Sequence, residues 1–142
     1  MSNISMTTSK RNAIVTVMLI SAFVSMLNQT ILNTALPAII KGLNITETTA
    51  QWLITGFMLV NGIMIPLTAF LMDKYSTRHL YIFSMAIFLI GSIVAAFSPT
   101  FSILMISRII QAIGAGILLP LMQFTVFMLF PAEQRGFAMG LA

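Results

Sequence analysis

The sequence predicts an all-α, polytopic membrane protein with four transmembrane helices. Of its 142 residues, 58% are hydrophobic and only 7% are charged, whereas soluble domains carry about 25% charged residues. A chain of this size leaves much of its surface in contact with solvent, so it cannot hide this much apolar surface inside itself. The few charges also divide the chain into apolar runs that reach the roughly 20 residues needed to cross a bilayer. We therefore expect the lipid bilayer to surround it.

Four apolar runs are predicted to be membrane spans, and a fifth begins at the end of the chain. The spans are residues 13–36, 50–71, 80–97 and 102–129. Residues 1–12 form an N-terminal segment, and residues 13–142 form the membrane unit with the start of a fifth helix. The first run exceeds the apolar stretch of about 7–15 residues found in signal peptides, so it should remain as a helix. The short fifth run predicts that the chain is a piece of a longer protein.

The basic residues predict how the helices are oriented. One end of the predicted bundle holds Lys10, Arg11, Lys74, Arg78 and Arg135, and the other end holds Lys41. Because basic loops stay in the cytoplasm, we expect a multi-pass protein of the cell membrane with its N-terminus inside. The basic residues form no cluster, so no nucleic-acid partner is predicted. The short connection at residues 98–100 predicts an antiparallel hairpin between the third and fourth helices.

Arg108 is the clearest candidate for a functional residue, because it lies in an otherwise apolar span. A charge at the centre of a membrane helix costs about 2.5–3.5 kcal/mol on insertion scales. Arg108 either snorkels to the outer headgroups or faces the bundle interior, where it meets a partner. The following small residues favour the interior, since Ala112 and Gly116 are spaced to let another helix approach closely. Gln111 adds a polar group within one turn, and Pro120 removes one backbone hydrogen bond.

The first span carries polar side chains at Asn28 and Asn33. A separation of five residues turns them about 140° apart around a helix, so they cannot serve one narrow site. Asn28 is expected near the depth of Arg108, where the two side chains can form a hydrogen bond. The alternative is that Asn28 only forms a structural hydrogen bond between helices, which stabilises helix association by about 0.6 kcal/mol on average.

The connection between the second and third spans contains Asp73, Lys74, Arg78 and His79. It is either an ordinary solvated turn or a conformational switch that pairs with another helix end. No enzyme site is predicted, because the chain has one histidine, no cysteine and three scattered acids. Such a set cannot form a metal cluster, so no metal or other cofactor is expected.

Three motifs resemble signatures of a known transporter family. Residues 27–37, LNQTILNTALP, resemble the first-helix signature L-D-x-T-I-V-N-V-A-L-P. Residues 69–78, AFLMDKYSTR, resemble the loop signature G-x-L-A-D-R-x-G-R-K. Residues 108–116, RIIQAIGAG, are similar to the fourth-helix signature R-x-x-Q-G-x-G-A-A. In this order they resemble the major facilitator superfamily, in particular its fourteen-span drug:proton antiporters of the EmrB/QacA type and their lincomycin-resistance-like branch.

The resemblance implies a role for each motif. Arg108, with Gln111 beside it, would take part in proton coupling, and Asp73, Lys74 and Arg78 would form the conformational switch loop. The chain would supply the first four helices of the N-terminal bundle of a major-facilitator fold. Two departures from the signatures matter most: Ser76 replaces a loop glycine, and Asn28 stands where the family often has an acid. Since Asn28 cannot carry a proton, a titrating carboxylate would have to lie elsewhere.

The mechanism implied is alternating access around a site near the bilayer midplane, driven by the proton gradient. The substrate would be a small hydrophobic or cationic drug-like molecule, and the partners would be the remaining helices of the full-length transporter. The substrate path is predicted to be lined by several methionines and by Asn28, Asn33, Asn61, Gln111, Gln123 and Phe57. Alone, the chain is expected not to transport. Two alternatives remain open, a complete small four-helix exporter and a membrane subunit that does not transport.

Overall fold

The computed structural model describes residues 7–141, and over that range it contains five α-helices joined by short connections. They are α1 (Thr8–Leu43), α2 (Glu47–Lys74), α3 (Thr77–Ala96), α4 (Phe101–Leu129) and α5 (Ala132–Leu141). The first four are long and apolar enough to cross a membrane. The predicted all-α fold with four transmembrane helices is therefore confirmed, and the chain is a multi-pass membrane protein. Residues 1–6 and 142 of the predicted terminal segments lie outside the described residues.

The helices extend beyond most of the predicted spans, because hydropathy marks only the part of a helix that lies in hydrocarbon. α1 runs through Pro37 and ends at Leu43, whereas its predicted span stopped at residue 36. A proline inside a helix removes the donor to the carbonyl four residues earlier, which membrane helices tolerate. Asn44 caps this end with a left-handed backbone (φ 52°, ψ 48°), a conformation that asparagine tolerates.

Hydroxyl side chains set the first residues of the next three helices. Each accepts a hydrogen bond from the backbone N–H three residues later, which satisfies a donor that the helix itself leaves free. The caps are Thr46 to Thr49 N at 3.2 Å, Ser76 to His79 N at 3.5 Å and Thr100 to Ile103 N at 3.4 Å. These short polar connections separate helices that are largely apolar, and they place successive helices antiparallel.

α4 is the central helix of the bundle and contacts α1, α2, α3 and α5. Of its apolar stretch 56% is buried, against 22% in α1, 28% in α2 and 22% in α3. The remaining faces of α1 to α3 carry large exposed apolar side chains, for example Phe23 and Phe70. Such an exterior implies a bilayer environment, because it has the polarity of lipid rather than of water.

Glycines bring α3 and α4 into close contact and confirm the predicted antiparallel hairpin. A methyl group on Gly114 would lie 2.7 Å from the Ser84 carbonyl oxygen and 2.9 Å from the Phe88 nitrogen. Gly91 of α3 is similarly close to α4, since a methyl group there would lie 2.9 Å from the Gln111 nitrogen. Only glycine fits at these positions without moving a backbone, and van der Waals packing of this kind drives helix association in membranes.

A hydrogen bond between α2 and α4 compensates for Pro120. The proline cannot donate to the Gly116 carbonyl, which is four residues earlier in the same helix. The single hydroxyl proton of Thr68 in α2 is shared between that carbonyl, at 3.1 Å, and the Met64 carbonyl of its own helix, at 2.7 Å. Thr68 is fully buried. The neighbouring helix therefore satisfies the carbonyl that the proline leaves free.

The two ends of this bundle differ in charge. We call the end where α1 begins, α2 ends, α3 begins and α4 ends the N-terminal end of the bundle. It contains Lys10, Arg11, Lys74, Arg78 and Arg135, whereas Lys41 lies at the opposite end. Arg11 also covers the Phe130 ring at 4.6 Å, which ties the start of α1 to the end of α4.

Candidate functional site

Arg108 lies in the interior of the bundle and not on its lipid-facing surface. Only 2% of its surface is exposed. It lies two turns into α4, on the helix face that also buries Leu104, Ala112 and Ala115. Of the two predicted alternatives, snorkelling and interior burial, the structure shows burial.

The guanidinium connects three helices through hydrogen bonds to amide side chains. Its Nη1 donates to Asn28 Oδ1 of α1 at 3.2 Å and to Gln111 Oε1 of α4 at 3.0 Å. Gln111 in turn donates from Nε2 to Ser92 Oγ of α3 at 3.1 Å. The predicted hydrogen bond between Asn28 and Arg108 is therefore present. We call Asn28, Ser92, Arg108 and Gln111 the Arg108 cluster.

An aromatic ring from α2 completes the surroundings of Arg108. The Arg108 Cζ lies 4.2 Å from the centre of the Phe57 ring, a distance at which the negative ring face attracts a cation. Phe57 is itself 2% exposed and packs with Phe88, Ala112 and Ala115. Each of α1 to α4 thus supplies a side chain to the surroundings of Arg108: Asn28 from α1, Phe57 from α2, Ser92 from α3 and Gln111 from α4.

The positive charge of Arg108 has no carboxylate partner among residues 7–141. The chain has three acids, and Glu47, Asp73 and Glu133 all lie in the first or last turn of a helix. The two partners of Nη1 are neutral amides. Nε and Nη2 are also buried, and no described residue accepts a hydrogen bond from either. The cluster therefore orients the guanidinium without neutralising it.

The residues predicted to line a substrate path do not form one group. Asn28 belongs to the Arg108 cluster, and Asn61 is half-buried near Gly116, where a methyl group would lie 2.9 Å from its Oδ1. Asn33 and Gln123 are exposed. Gln123 is fifteen residues beyond Arg108, a distance of roughly 22 Å along the helix. Of the predicted path residues, the structure brings Asn28, Gln111 and Phe57 into contact with Arg108.

The predicted switch loop is exposed at the N-terminal end of the bundle. Asp73 and Lys74 end α2, Arg78 lies in the first turn of α3, and all three side chains are exposed. Only Tyr75 and Ser76 lie between the two helices. Ser76 has φ −69° and caps α3, so this backbone does not need the glycine that the loop signature has there.

A cavity of about 950 Å³ opens beside this loop. Arg78 and Tyr81 of α3 line it, together with the beginning of α1 and the end of α4. Tyr81 forms a hydrogen bond of 2.6 Å with Ser21 of α1 at the same level. None of the predicted path residues Asn28, Asn33, Asn61 and Gln123 lines this cavity.

Comparison with known proteins identifies the family. Residues 18–142 match the family model described as Major Facilitator Superfamily. The chain belongs to the Major Facilitator Superfamily. Its predicted resemblance to this superfamily, including the lincomycin-resistance-like branch, is confirmed by its relatives, and membership points to transport rather than to catalysis.

Three relatives illustrate the relationship. An uncharacterized MFS-type transporter, YcnB of Bacillus subtilis, is 53% identical over 131 residues, which cover 92% of this chain and 28% of the relative. The lincomycin resistance protein LmrB of Bacillus subtilis is 44% identical over 123 residues, which cover 87% of this chain and 26% of LmrB. The probable multidrug resistance protein EmrY of Escherichia coli is 34% identical over 122 residues, which cover 86% of this chain and 24% of EmrY. The chain thus spans about a quarter of their length. No solved structure matches it significantly.

The sequence prediction of this facilitator bundle missed two polar residues that connect its helices. Ser92 holds Gln111, and Thr68 satisfies the Gly116 carbonyl. Both are hydroxyl residues inside apolar spans, which was a detectable signal. Their partners were not detectable, because hydropathy does not report how neighbouring helices are rotated against each other.

Proposed function

We propose that these helices form part of the first bundle of a proton-coupled exporter of small drug-like molecules, working by alternating access. The observation that carries the proposal is the buried, hydrogen-bonded Arg108. A charge held inside a membrane bundle is costly and marks an ion or substrate pathway by default. The relatives named for lincomycin and multidrug resistance support export as the direction of transport and hydrophobic or cationic drugs as the substrate class.

In this proposal Arg108 and Gln111 belong to the coupling machinery and the exposed loop acts as the switch. Arg108 stays charged and responds to a proton that another group carries, because Asn28 and Gln111 do not titrate. Asp73, Lys74 and Arg78 contact the second half of the transporter in one access state and release it in the other. The remaining helices of a longer transporter supply that half, in keeping with the length of the relatives.

We further propose that the protein lies in the cell membrane with the N-terminal end of the bundle in the cytoplasm. The five basic residues at that end, against one at the other, support this orientation. Residues 1–142 contain no cysteine, so single cysteines can be placed in them freely. In intact cells an impermeant thiol reagent should label Lys41→Cys and leave Arg78→Cys unlabelled, and the reverse pattern would overturn the orientation.

A hybrid transporter tests the function. Residues 1–142 replace the corresponding segment of the Bacillus subtilis LmrB, and efflux of lincomycin and of a fluorescent lipophilic cation is measured in proteoliposomes with and without a proton gradient. We expect gradient-driven efflux that Arg108→Ala lowers more than tenfold and that the control Lys41→Ala leaves unchanged.

The same assay separates the alternatives. Efflux by the 142-residue chain alone would favour a complete small exporter. Full efflux by the Arg108→Ala hybrid, with less protein assembled in the membrane, would favour a structural role for this residue and contradict its place in coupling.

A further inference from the structure

We propose that a cavity between the beginning of α1 and the beginning of α5 binds the headgroup of an anionic phospholipid, with Arg11 as the ligand of its phosphate. The cavity has a volume of about 510 Å³ and is lined by side chains from residues 11–19 of α1, from Phe130 and from residues 133–138 of α5. We call it the Arg11 cavity. This site and its ligand lie outside the transport mechanism proposed above and do not depend on it.

Arg11 has a buried hydrogen-bond donor that the described chain does not use. The side chain is half-buried and lines the cavity, and its Cζ lies 4.6 Å from the centre of the Phe130 ring, which fixes its position. Its Nε is buried, and none of residues 7–141 accepts a hydrogen bond from it. A buried charged donor without an acceptor is costly. An anion in the cavity would supply the acceptor.

A second arginine holds the ring on which Arg11 rests. Arg135 Nε donates to the Phe130 carbonyl at 3.0 Å, and Arg135 Cζ lies 4.1 Å from the centre of the Phe127 ring. Arg135 does not itself line the cavity. It therefore fixes Phe130 and adds positive charge beside the cavity without filling it.

The lining of the Arg11 cavity changes from polar to apolar along the helices. On α1, Arg11, Val15 and Leu19 are four residues apart, which places them on one face of the helix. On α5, Glu133 and Phe137 repeat the same order from charged to apolar. Arg11 lies just before the apolar run at residues 13–36, the depth at which basic side chains meet lipid headgroups. A phospholipid, with a charged head and an apolar tail, matches this order.

The local charge favours an anionic lipid over a zwitterionic one. Lys10, Arg11 and Arg135 lie near the beginnings of α1 and α5, against the single acid Glu133. Basic residues near a membrane surface attract anionic lipids, and a guanidinium can bind two phosphate oxygens at once. Glu133 lines the same cavity and repels the phosphate. Removing the charge of Glu133 should therefore strengthen binding, a result that a misfolded variant would not give.

Quenching of a tryptophan by brominated lipids measures which lipid occupies the cavity. The chain has one tryptophan, Trp52, which is exposed near the beginning of α2, at the opposite end of the bundle. The reporter chain carries Trp52→Phe and Phe137→Trp, since Phe137 lines the cavity and is 77% exposed, which leaves room for the larger ring.

The reporter chain is placed in phosphatidylcholine nanodiscs that contain a small fraction of brominated lipid. We expect brominated phosphatidylglycerol to be enriched at the reporter about fivefold over brominated phosphatidylcholine. Trp52 in the unchanged chain should report no such enrichment. Equal quenching of the reporter by the two lipids would overturn the proposal.

Matched variants of the reporter chain separate this site from general attraction to a basic surface. Arg11→Gln should abolish the enrichment, because it removes the phosphate ligand. Lys10→Gln removes the same charge from the preceding residue, whose side chain is exposed and does not line the cavity, and should keep most of the enrichment. Glu133→Gln should raise it. Equal losses in Arg11→Gln and Lys10→Gln, or a lower enrichment in Glu133→Gln, would contradict binding at Arg11.

Two further measurements test the identity of the occupant. Glycerol phosphate has the phosphate without the acyl chains, so an excess of it should not displace the brominated phosphatidylglycerol. Displacement would assign the cavity to free phosphate compounds and contradict a lipid site. The hybrid transporter, with its other tryptophans replaced by phenylalanine, should show the same enrichment at the reporter. Loss of the enrichment there would mean that the rest of the longer protein fills the cavity, which would overturn the proposal.

Discussion

Two arginines, Arg108 and Arg78, show how differently one side chain is accommodated in two regions of this bundle. Arg108 lies in the interior, 2% exposed, and side chains from α1, α2 and α4 contact it. Arg78 lies exposed at the N-terminal end and lines a cavity. In hydrocarbon a charge must be surrounded by partners, whereas near the headgroups water provides them. Substitutions should therefore have large effects in the interior and small effects at the loop.

The largest effect is expected where the interior has no room for one additional carbon. Gly114→Ala places a methyl group against the backbone of α3, so the two helices must separate. We expect the free energy of unfolding in lipid or mild detergent to fall by about 3 kcal/mol. The control is Gly62→Ala on α2, where a methyl group would contact nothing within 4 Å. Equal losses in the two variants would contradict the close packing of α3 and α4.

Arg108→Ala should have the next largest effect. It removes two hydrogen bonds, leaves Asn28 Oδ1 and Gln111 Oε1 without the Arg108 donor and opens a cavity, while the loss of an unpaired buried charge offsets part of this cost. We expect a net loss of about 2 kcal/mol in the free energy of unfolding. Arg78→Ala should change it by less than about 0.5 kcal/mol. Similar values for the two arginines would remove the distinction between the two regions.

The hydrogen bond from Thr68 sharpens the comparison within the interior. Thr68→Val keeps the shape of the side chain but leaves the Gly116 carbonyl without a donor, which should cost about 1 kcal/mol. In a Pro120→Ala background the helix supplies its own donor again, and the same substitution should cost less than about 0.5 kcal/mol. The four stabilities form a double-mutant cycle, and equal costs in both backgrounds would show that Thr68 does not compensate for Pro120.

The smallest effect is expected at the loop. Ser76→Ala removes the cap of α3 and should lower the free energy of unfolding by about 0.5–1 kcal/mol, whereas Ser76→Gly should cost only a few tenths. The glycine also restores the residue that the loop signature has at this position. A loss as large as that of Arg108→Ala would mean that the loop is part of the packed structure.

The sequence predicted the spans, the α3–α4 hairpin and the contact between Asn28 and Arg108 from simple quantities. Charges interrupt the apolar runs, a short connection at residues 98–100 forces the hairpin, and depth along antiparallel helices can be counted in residues. Each of these three predictions depends only on where a residue lies along the chain.

The sequence could not predict which polar side chains face the bundle interior, because that depends on how each helix is rotated around its axis. Asn33 and Gln123 are polar residues in apolar spans, as Asn28 and Gln111 are, yet they are exposed. Ser92 and Thr68 connect helices because of the face they occupy, and the weak amphipathicity of helices in lipid does not reveal that face. The helix ends also differed from the predicted spans, because capping residues and not hydropathy determine them.

A double-mutant cycle between Asn28 and Arg108 tests most directly whether the bundle is built around this arginine. The free energy of unfolding is measured for Asn28→Ala, Arg108→Ala and the double variant, with Asn33→Ala replacing Asn28→Ala in the control cycle. The hydrogen bond of 3.2 Å predicts a coupling energy of at least about 1 kcal/mol for Asn28 and none for Asn33. Losses from Asn28 and Arg108 that add within about 0.3 kcal/mol would contradict the account.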